Sequence, residues 1–316
     1  MTKYETIGIV VNEAKDTRLT VLRKMLASLH KVGIDAVFTI GADTSVGFSC
    51  PKDLAEQYAD SVDALSVCDK LICIGGDGTL IKLAKRMIPT QTPILGINLG
   101  TLGYLTEAEI SDTDLIAERI KNHKYTIEER MMLSVRRTRE GECSDTDEEI
   151  ALNEVVISRG DLAHIVGLKA YLNDTLLDVY PGDGLIVATP TGSTAYALSA
   201  GSAILEPEMQ AIALLPICPH MIFSRQVIVG SGNTIHILAA ASQNSSVPVS
   251  VDGIAAAPLK KNEALHIGKS KYITRMICFN SDKFYSMLKS KLYNRGEMLY
   301  REEIGAAGNN TGHHQS

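Results

Sequence analysis

Gly75-Gly76-Asp77-Gly78-Thr79 follows directly on the apolar run Leu71 to Ile74, and these residue types suit work on a phosphate chain. Glycines at 75, 76 and 78 let backbone N–H groups approach a polyphosphate with no Cβ in the way. A helix starting near Thr79 would point its positive end at the same place. Asp77 is the unusual member. A carboxylate beside phosphates is repulsive unless it faces a metal ion or takes a proton from a hydroxyl, and both jobs belong to phosphoryl transfer. A plain turn in which Asp77 caps the next helix would account for the acid and one glycine, but not for all three.

Three further segments carry polar groups where a ligand could meet them. Gly96 to Thr106 follows another strand, with Gly100 and Gly103 permitting a tight loop and Tyr104 offering a flat ring for a base. Its plainer reading is a buried Tyr in a glycine-rich turn. Asn153-Glu154 places an amide beside a carboxylate. Such a pair matches two ribose hydroxyls if a strand start or bulge turns both to one side, and otherwise marks a strand-entry turn. Gly182-Asp183-Gly184 leads through a strand into Thr189-Pro190-Thr191-Gly192-Ser193-Thr194-Ala195-Tyr196. Four hydroxyls there, before a helix expected from about residue 195, suit an anion or nucleotide cradle.

Other chemistries are absent from the pattern. There is no GxxxxGK[ST] and no GxGxxG after the first strand, so the usual phosphate-loop and dinucleotide fingerprints are missing. No His/Cys/carboxylate cluster has metal-ligand spacing. A dedicated metal cage is not expected, and magnesium would arrive with a triphosphate. The six cysteines form no CxxC pair and predict reduced thiols in a cytoplasmic protein. Net charge is −6, against nucleic-acid binding. No signal peptide or membrane-spanning run is expected.

These segments need a scaffold, and 316 residues suggest two domains. Residues 1–126 alternate strands (7–11, 34–40, 71–74, 94–98) with helices (17–32, 53–66, 79–88). That rhythm predicts an α/β domain with a parallel sheet, whose ligands sit beyond the C-terminal strand ends. Residues 127–270 hold short apolar or alternating runs between turn residues, at 131–139, 151–158, 165–172, 184–189, 226–229, 234–238 and 247–251, and predict a β-rich domain. The acidic run 140–149 reads as a hairpin loop. Residues 282–293 look helical, and 304–316 have the composition of a disordered tail.

Together, in this order and spacing, GGDGT, NLGTLGYLTE, LNEVVISRG, GDGLIVATPTGSTAYALSAG and PICPHMIFSRQVIV resemble the NAD kinase family over roughly residues 5 to 290. GGDGT itself is shared with 6-phosphofructokinases and with diacylglycerol or sphingosine kinases. The resemblance implies a β-sandwich-like second domain, with residues 271–303 returning to the first. It implies transfer of the terminal phosphoryl of ATP to the adenosine 2′-hydroxyl of NAD. Asp77 would be the general base, with Gly78 beside it. Asn153 and Glu154 would hold the ribose and adenine, and Asp183 a neighbouring part of the dinucleotide. Thr194, Ala195, Tyr196, Ala197, Leu198 and Ser199 match the family's TAYxxS segment. Tyr104 would lie near the adenine, and Lys82 and His164 would be basic groups near phosphates. A homodimer or homotetramer with shared sites is implied. Two positions depart from the family pattern: Thr101 stands where relatives have Arg, and Ile254 where many have Gln. A lipid kinase of the GGDGT group and a non-catalytic NAD sensor remain the competing readings. The first would need an apolar slot for acyl chains, whereas the hydroxyl-rich TPTGSTAY loop fits a polar dinucleotide better, and the second gives no reason to keep Asp77.

Overall fold

Ile7, Ile9, Val10 and Val11 are fully buried, as a strand covered on both faces requires, and they form β1 (Thr6–Val11). The computed structural model describes residues 5–41, 49–100, 103–139, 148–160, 164–221, 223–240, 246–280 and 284–289. After β1 come α1 (Thr20–Lys31), β2 (Asp35–Ile40), β3 (Lys70–Gly75), α2 (Asp77–Arg86), β4 (Ile94–Asn98), β5 (Ala108–Glu109) and α3 (Thr113–Lys121). The strands pair in parallel in the order β4-β3-β1-β2. This is the expected α/β layer.

Helix boundaries follow local chemistry. α1 begins three residues later than its apolar spacing suggests, because the Asp16 carboxylate accepts the N–H groups of Thr20 (2.8 Å), Val21 and Leu22 (both 3.1 Å). Its buried face, Leu22, Met25 and Leu29, packs against the sheet at roughly 1.5–3 kcal/mol per side chain. Gly33 closes it with φ 73°, as a C-terminal cap should. The helix expected over 53–66 does not form. Two short 3-10 turns, Lys52–Gln57 and Val62–Val67, stand in its place. Between them Tyr58 bridges Phe38, and the Ala59 N–H donates to the Phe38 carbonyl at 2.7 Å, so sheet pairing breaks the helix.

The remaining strands are β6 (Thr126–Arg139), β7 (Glu149–Ala151), β8 (Glu154–Ser158), β9 (Val166–Leu172), β10 (Thr175–Gly182), β11 (Gly184–Ala188), β12 (Ala211–Ile217), β13 (Val227–Gly230), β14 (Ile235–Ala239), β15 (Val247–Val251), β16 (Ile254–Leu259) and β17 (Glu263–Cys278). A six-stranded antiparallel sheet, β13-β12-β11-β8-β15-β16, packs on β6, β9, β14 and β17. Inward residues of both layers, among them Val155, Ile157, Leu185 and Val187 against Leu133, Leu168, Ile237 and Ile267, form one core. This is the expected β-rich sandwich. β17 joins the two parts: it pairs with β14 and β6 along the sandwich, then Met276 pairs in parallel with Ile94 of β4. Residues 284–289 are helical; the rest of 282–293, the 140–147 run and the tail lie outside the described residues.

Candidate active site

β3 ends at Gly75, and α2 starts at Asp77 rather than near Thr79. A Cβ on Gly75 would come within 2.8 Å of the Thr79 hydroxyl, and Asn12 Nδ2 donates to that hydroxyl at 2.9 Å. The loop after β4 reaches back to Asp77. Tyr104 N–H donates to Asp77 Oδ2 at 2.7 Å and Leu105 N–H to Oδ1 at 3.2 Å. Gly103 makes this possible, since a Cβ there would overlap the Asp77 carboxylate. Tyr104 thus contributes its backbone to the site. The structure also places it on a small cavity with Thr106, Glu128, Arg130 and Phe284. Gly103→Ala is expected to displace the Asp77 carboxylate and lower turnover sharply with little change in ligand affinity; steady-state kinetics beside binding calorimetry would check it.

The second cluster forms where β7 ends and β8 begins. The expected continuous strand over 151–158 is broken at Leu152 and Asn153. The break is held by Asp252, in the tight turn between β15 and β16, where φ is 51° at Asp252 and 75° at Gly253. Its carboxylate accepts the N–H groups of Leu152 (2.9 Å), Asn153 (2.8 Å) and Glu154 (3.2 Å). Asn153 and Glu154 are buried, yet Asn153 Oδ1 and Glu154 Oε2 have no hydrogen-bond partner. Leaving such groups unpaired costs about 1–3 kcal/mol each, so they mark a place for donors from a ligand.

Burial, then the charge of Asp252, push the Glu154 carboxyl up to about 7, against a bond from the Tyr196 N–H that lowers it. The raised value means that this group's contribution to the free chain's stability is full below its ordinary value of 4.5 and is lost as pH rises through about 7. An ionised Glu154 accepts from two donors, whereas a protonated one must also donate. The KM for a substrate that donates to Glu154 is therefore expected to fall as pH rises through about 7, and Glu154→Gln to flatten that profile.

The hydroxyl-rich loop is used differently from expectation. Thr189 Oγ1 donates to the Leu152 carbonyl (2.6 Å), Ser193 Oγ to Pro190 (2.6 Å) and Thr194 Oγ1 to Thr191 (3.1 Å). Three of the four hydroxyls therefore build the loop, and Thr191 Oγ1 alone of them is buried without a partner. The helix expected from residue 195 is only Tyr196–Ser199. Its Tyr196 is exposed and its Ala197 buried, with Leu198 in between. Gly192 lets the loop touch the Asn153 carbonyl, where a Cβ would clash.

Residues 7–125 match the family model described as the ATP-NAD kinase N-terminal domain, and residues 152–279 match the ATP-NAD kinase C-terminal domain. The chain belongs to the NAD kinase family. The NAD kinase of Acetivibrio thermocellus is 37% identical over 293 residues, which are 93% of this chain and 99% of that relative. That of Symbiobacterium thermophilum is 38% identical over 292 residues, 92% and 99% of the two chains. Yeast NADH kinase, solved in complex with NADH, shares the fold with a TM-score of 0.76 at 23% identity, covering 99% of this chain and 90% of that one. An Archaeoglobus fulgidus NAD kinase solved in complex with ATP gives 0.67 at 22% identity, covering 91% and 98%.

Against this NAD kinase fold, the remaining residues sort by position. Lys82 lies on the exposed side of α2, beyond Asp77. Thr101 lies outside the described residues, and Ile254 is half-exposed beside the Asp252 turn. Asp183 and His164 stand at the other end of the sandwich. Thr189, after β11, is beside Asn153, whereas Asp183 precedes β11, about 20 Å away along the strand at roughly 3.3 Å per residue. There Asp183 pairs with Arg159 at 3.2 Å. His164 shares that end, because Val166 of β9 pairs with Gly182.

Two residues were not singled out by sequence. Asp252 organises the Asn153 corner, and Lys85, in the last turn of α2, pairs with it at 3.5 Å. Lys85 thereby ties the helix that begins at Asp77 to the second cluster. Val251-Asp252-Gly253 reads as a hairpin turn, and its acceptor role falls on N–H groups about a hundred residues away in sequence.

Proposed function

We propose that this chain transfers the terminal phosphoryl group of ATP, bound with magnesium, to the 2′-hydroxyl of the adenosine ribose of NAD, giving NADP. The observation that carries this reading is the pair of buried, unpartnered acceptors Asn153 Oδ1 and Glu154 Oε2 in a corner braced to the Asp77 helix. Two acceptors fit two ribose hydroxyls or the adenine amino group. Gly75, Gly76 and Gly78 N–H groups and the N-terminus of α2 meet the phosphates. Asp77 keeps lone pairs beyond its two N–H bonds, accepts the ribose proton and turns a poor nucleophile into a usable one. Magnesium enters as part of the ATP complex, where it neutralises phosphate charge.

The same reading makes the protein a cytoplasmic homodimer or homotetramer. The distance of Asp183 and His164 from Asn153 supports shared sites, since a second copy would let them border the same dinucleotide. Met221 and Phe223, exposed near that end, suit such a contact. The described cysteines are all free thiols, in keeping with a reducing compartment.

Terminally labelled ATP offered with NAD, with NADH and with diacylglycerol micelles tests the acceptor. Label on the dinucleotide is expected. Label on diacylglycerol would replace this reading with the lipid-kinase one.

A further inference from the structure

A second polar cavity opens on the outer face of β6 and β17, and Ser134, Arg136, Glu148, His266, Lys269 and Lys271 line it. It shares no residue with the candidate active site. Its position follows from the strands. On β6, Leu133 and Val135 point into the core, so Ser134 and Arg136 point out. His266 sits opposite Arg136 in the ladder. The β17–β6 register then shifts between Lys269 and Ile273, and there Ser270 is buried while Lys269 and Lys271 are exposed. Three cations and an imidazole thus face one carboxylate, in a chain whose net charge is −6.

That carboxylate shows what the cavity stabilises. Glu148 Oε1 accepts from the Ser134 hydroxyl and from Arg136 Nη2 at 3.0 Å. The Ser134 bond, then Arg136 and Lys271, hold the Glu148 carboxyl below its ordinary range. His266 is pinned by its neighbours: Nε2 lies 2.5 Å from Thr138 Oγ1 and Nδ1 lies 2.5 Å from His236 Nδ1.

We propose that this cavity binds a multiply phosphorylated small molecule, whose phosphate oxygens take the place of the Glu148 carboxylate on Arg136 while Lys269 and Lys271 neutralise the remaining charge. Arg and Lys together suit this ligand, the first by its planar fork and the second as mobile point charges. The site has a route to the dinucleotide corner. Glu148 immediately precedes β7, and β7 leads through Leu152 to Asn153. Moving Glu148 off Arg136 acts on the strand that carries Asn153, so the ligand changes the KM for NAD more than kcat.

Calorimetric titration of the full chain with inorganic tripolyphosphate, without magnesium, tests the site. Lys269→Gln/Lys271→Gln is expected to weaken one binding event roughly tenfold or more while basal NADP formation and melting temperature stay near wild type, and Arg136→Gln to weaken the same event and shift the KM for NAD in the direction the ligand does, because it too releases Glu148. Glu148→Gln, which removes the internal competitor, is expected to tighten it. Isotherms unchanged by the cation substitutions would confine tripolyphosphate to the glycine loop and overturn the proposal. So would binding that appears only after Glu140, Glu142, Asp145 and Asp147 are neutralised, because the cavity would then serve the chain's own acidic residues.

Discussion

Asp77→Asn is expected to fold as the wild type does and to turn over roughly 100- to 10,000-fold more slowly, with NAD affinity little changed. The amide keeps one oxygen to accept from the Tyr104 or Leu105 N–H, so the loop that wraps Asp77 stays in place. Its NH2 faces the other donor, a mismatch of about 1–3 kcal/mol at most, which melting would register as a few degrees. What the amide cannot do is take a proton. Loss concentrated in kcat is the signature of an interaction made in the transition state. Near-wild-type kcat in a folded Asp77→Asn chain would remove the base assignment.

The second large effect belongs to Asp252. Asp252→Asn is expected to raise the KM for NAD and lower the melting temperature together. Asn tolerates the left-handed conformation that residue 252 adopts, so the turn itself should persist. The carboxylate, however, is wholly buried, accepts three backbone N–H groups and faces Lys85. The Lys85 ammonium left behind keeps part of its surface in water, so the loss falls short of the ~3–5 kcal/mol of a fully buried pair, and the Asn oxygen retains part of the hydrogen bonding. Lys85→Met should recover part of the stability in the double variant, because the stranded ammonium is then gone; a double-mutant cycle on melting free energies reads that coupling. A second readout separates positioning from mere support. Asp252 is one cause of the raised Glu154 carboxyl, so the pH profile of KM should move to lower pH in Asp252→Asn. A profile that stays in place would limit Asp252 to holding the turn.

The parts legible in sequence were those where a ligand imposes a contiguous pattern. Gly75 to Thr79 stands out because glycines this closely spaced suit close backbone approach to a phosphate chain, and the structure adds that Gly103 meets Asp77 from the loop after β4. Asn153 and Glu154 could be read as a pair, but the strand break at which they sit is held by Asp252, which local pattern marks only as a turn. The Thr189 to Thr194 loop misled, because three of its hydroxyls satisfy the loop's own carbonyls. The 53–66 segment had helical residues but lost them to pairing with Phe38, a tertiary effect that propensity does not contain. β17 joins the parallel and antiparallel parts of the large sheet and alternates imperfectly around its register shift, so its role emerges only with its partners in place.

The most direct test incubates the purified chain with ATP, magnesium and NAD and detects NADP with an NADP-specific dehydrogenase, with Asp77→Asn in parallel. NADP is expected from the wild type and almost none from the variant. Calorimetric NAD binding with no NADP formed by the wild type would contradict it and leave a dinucleotide sensor in its place.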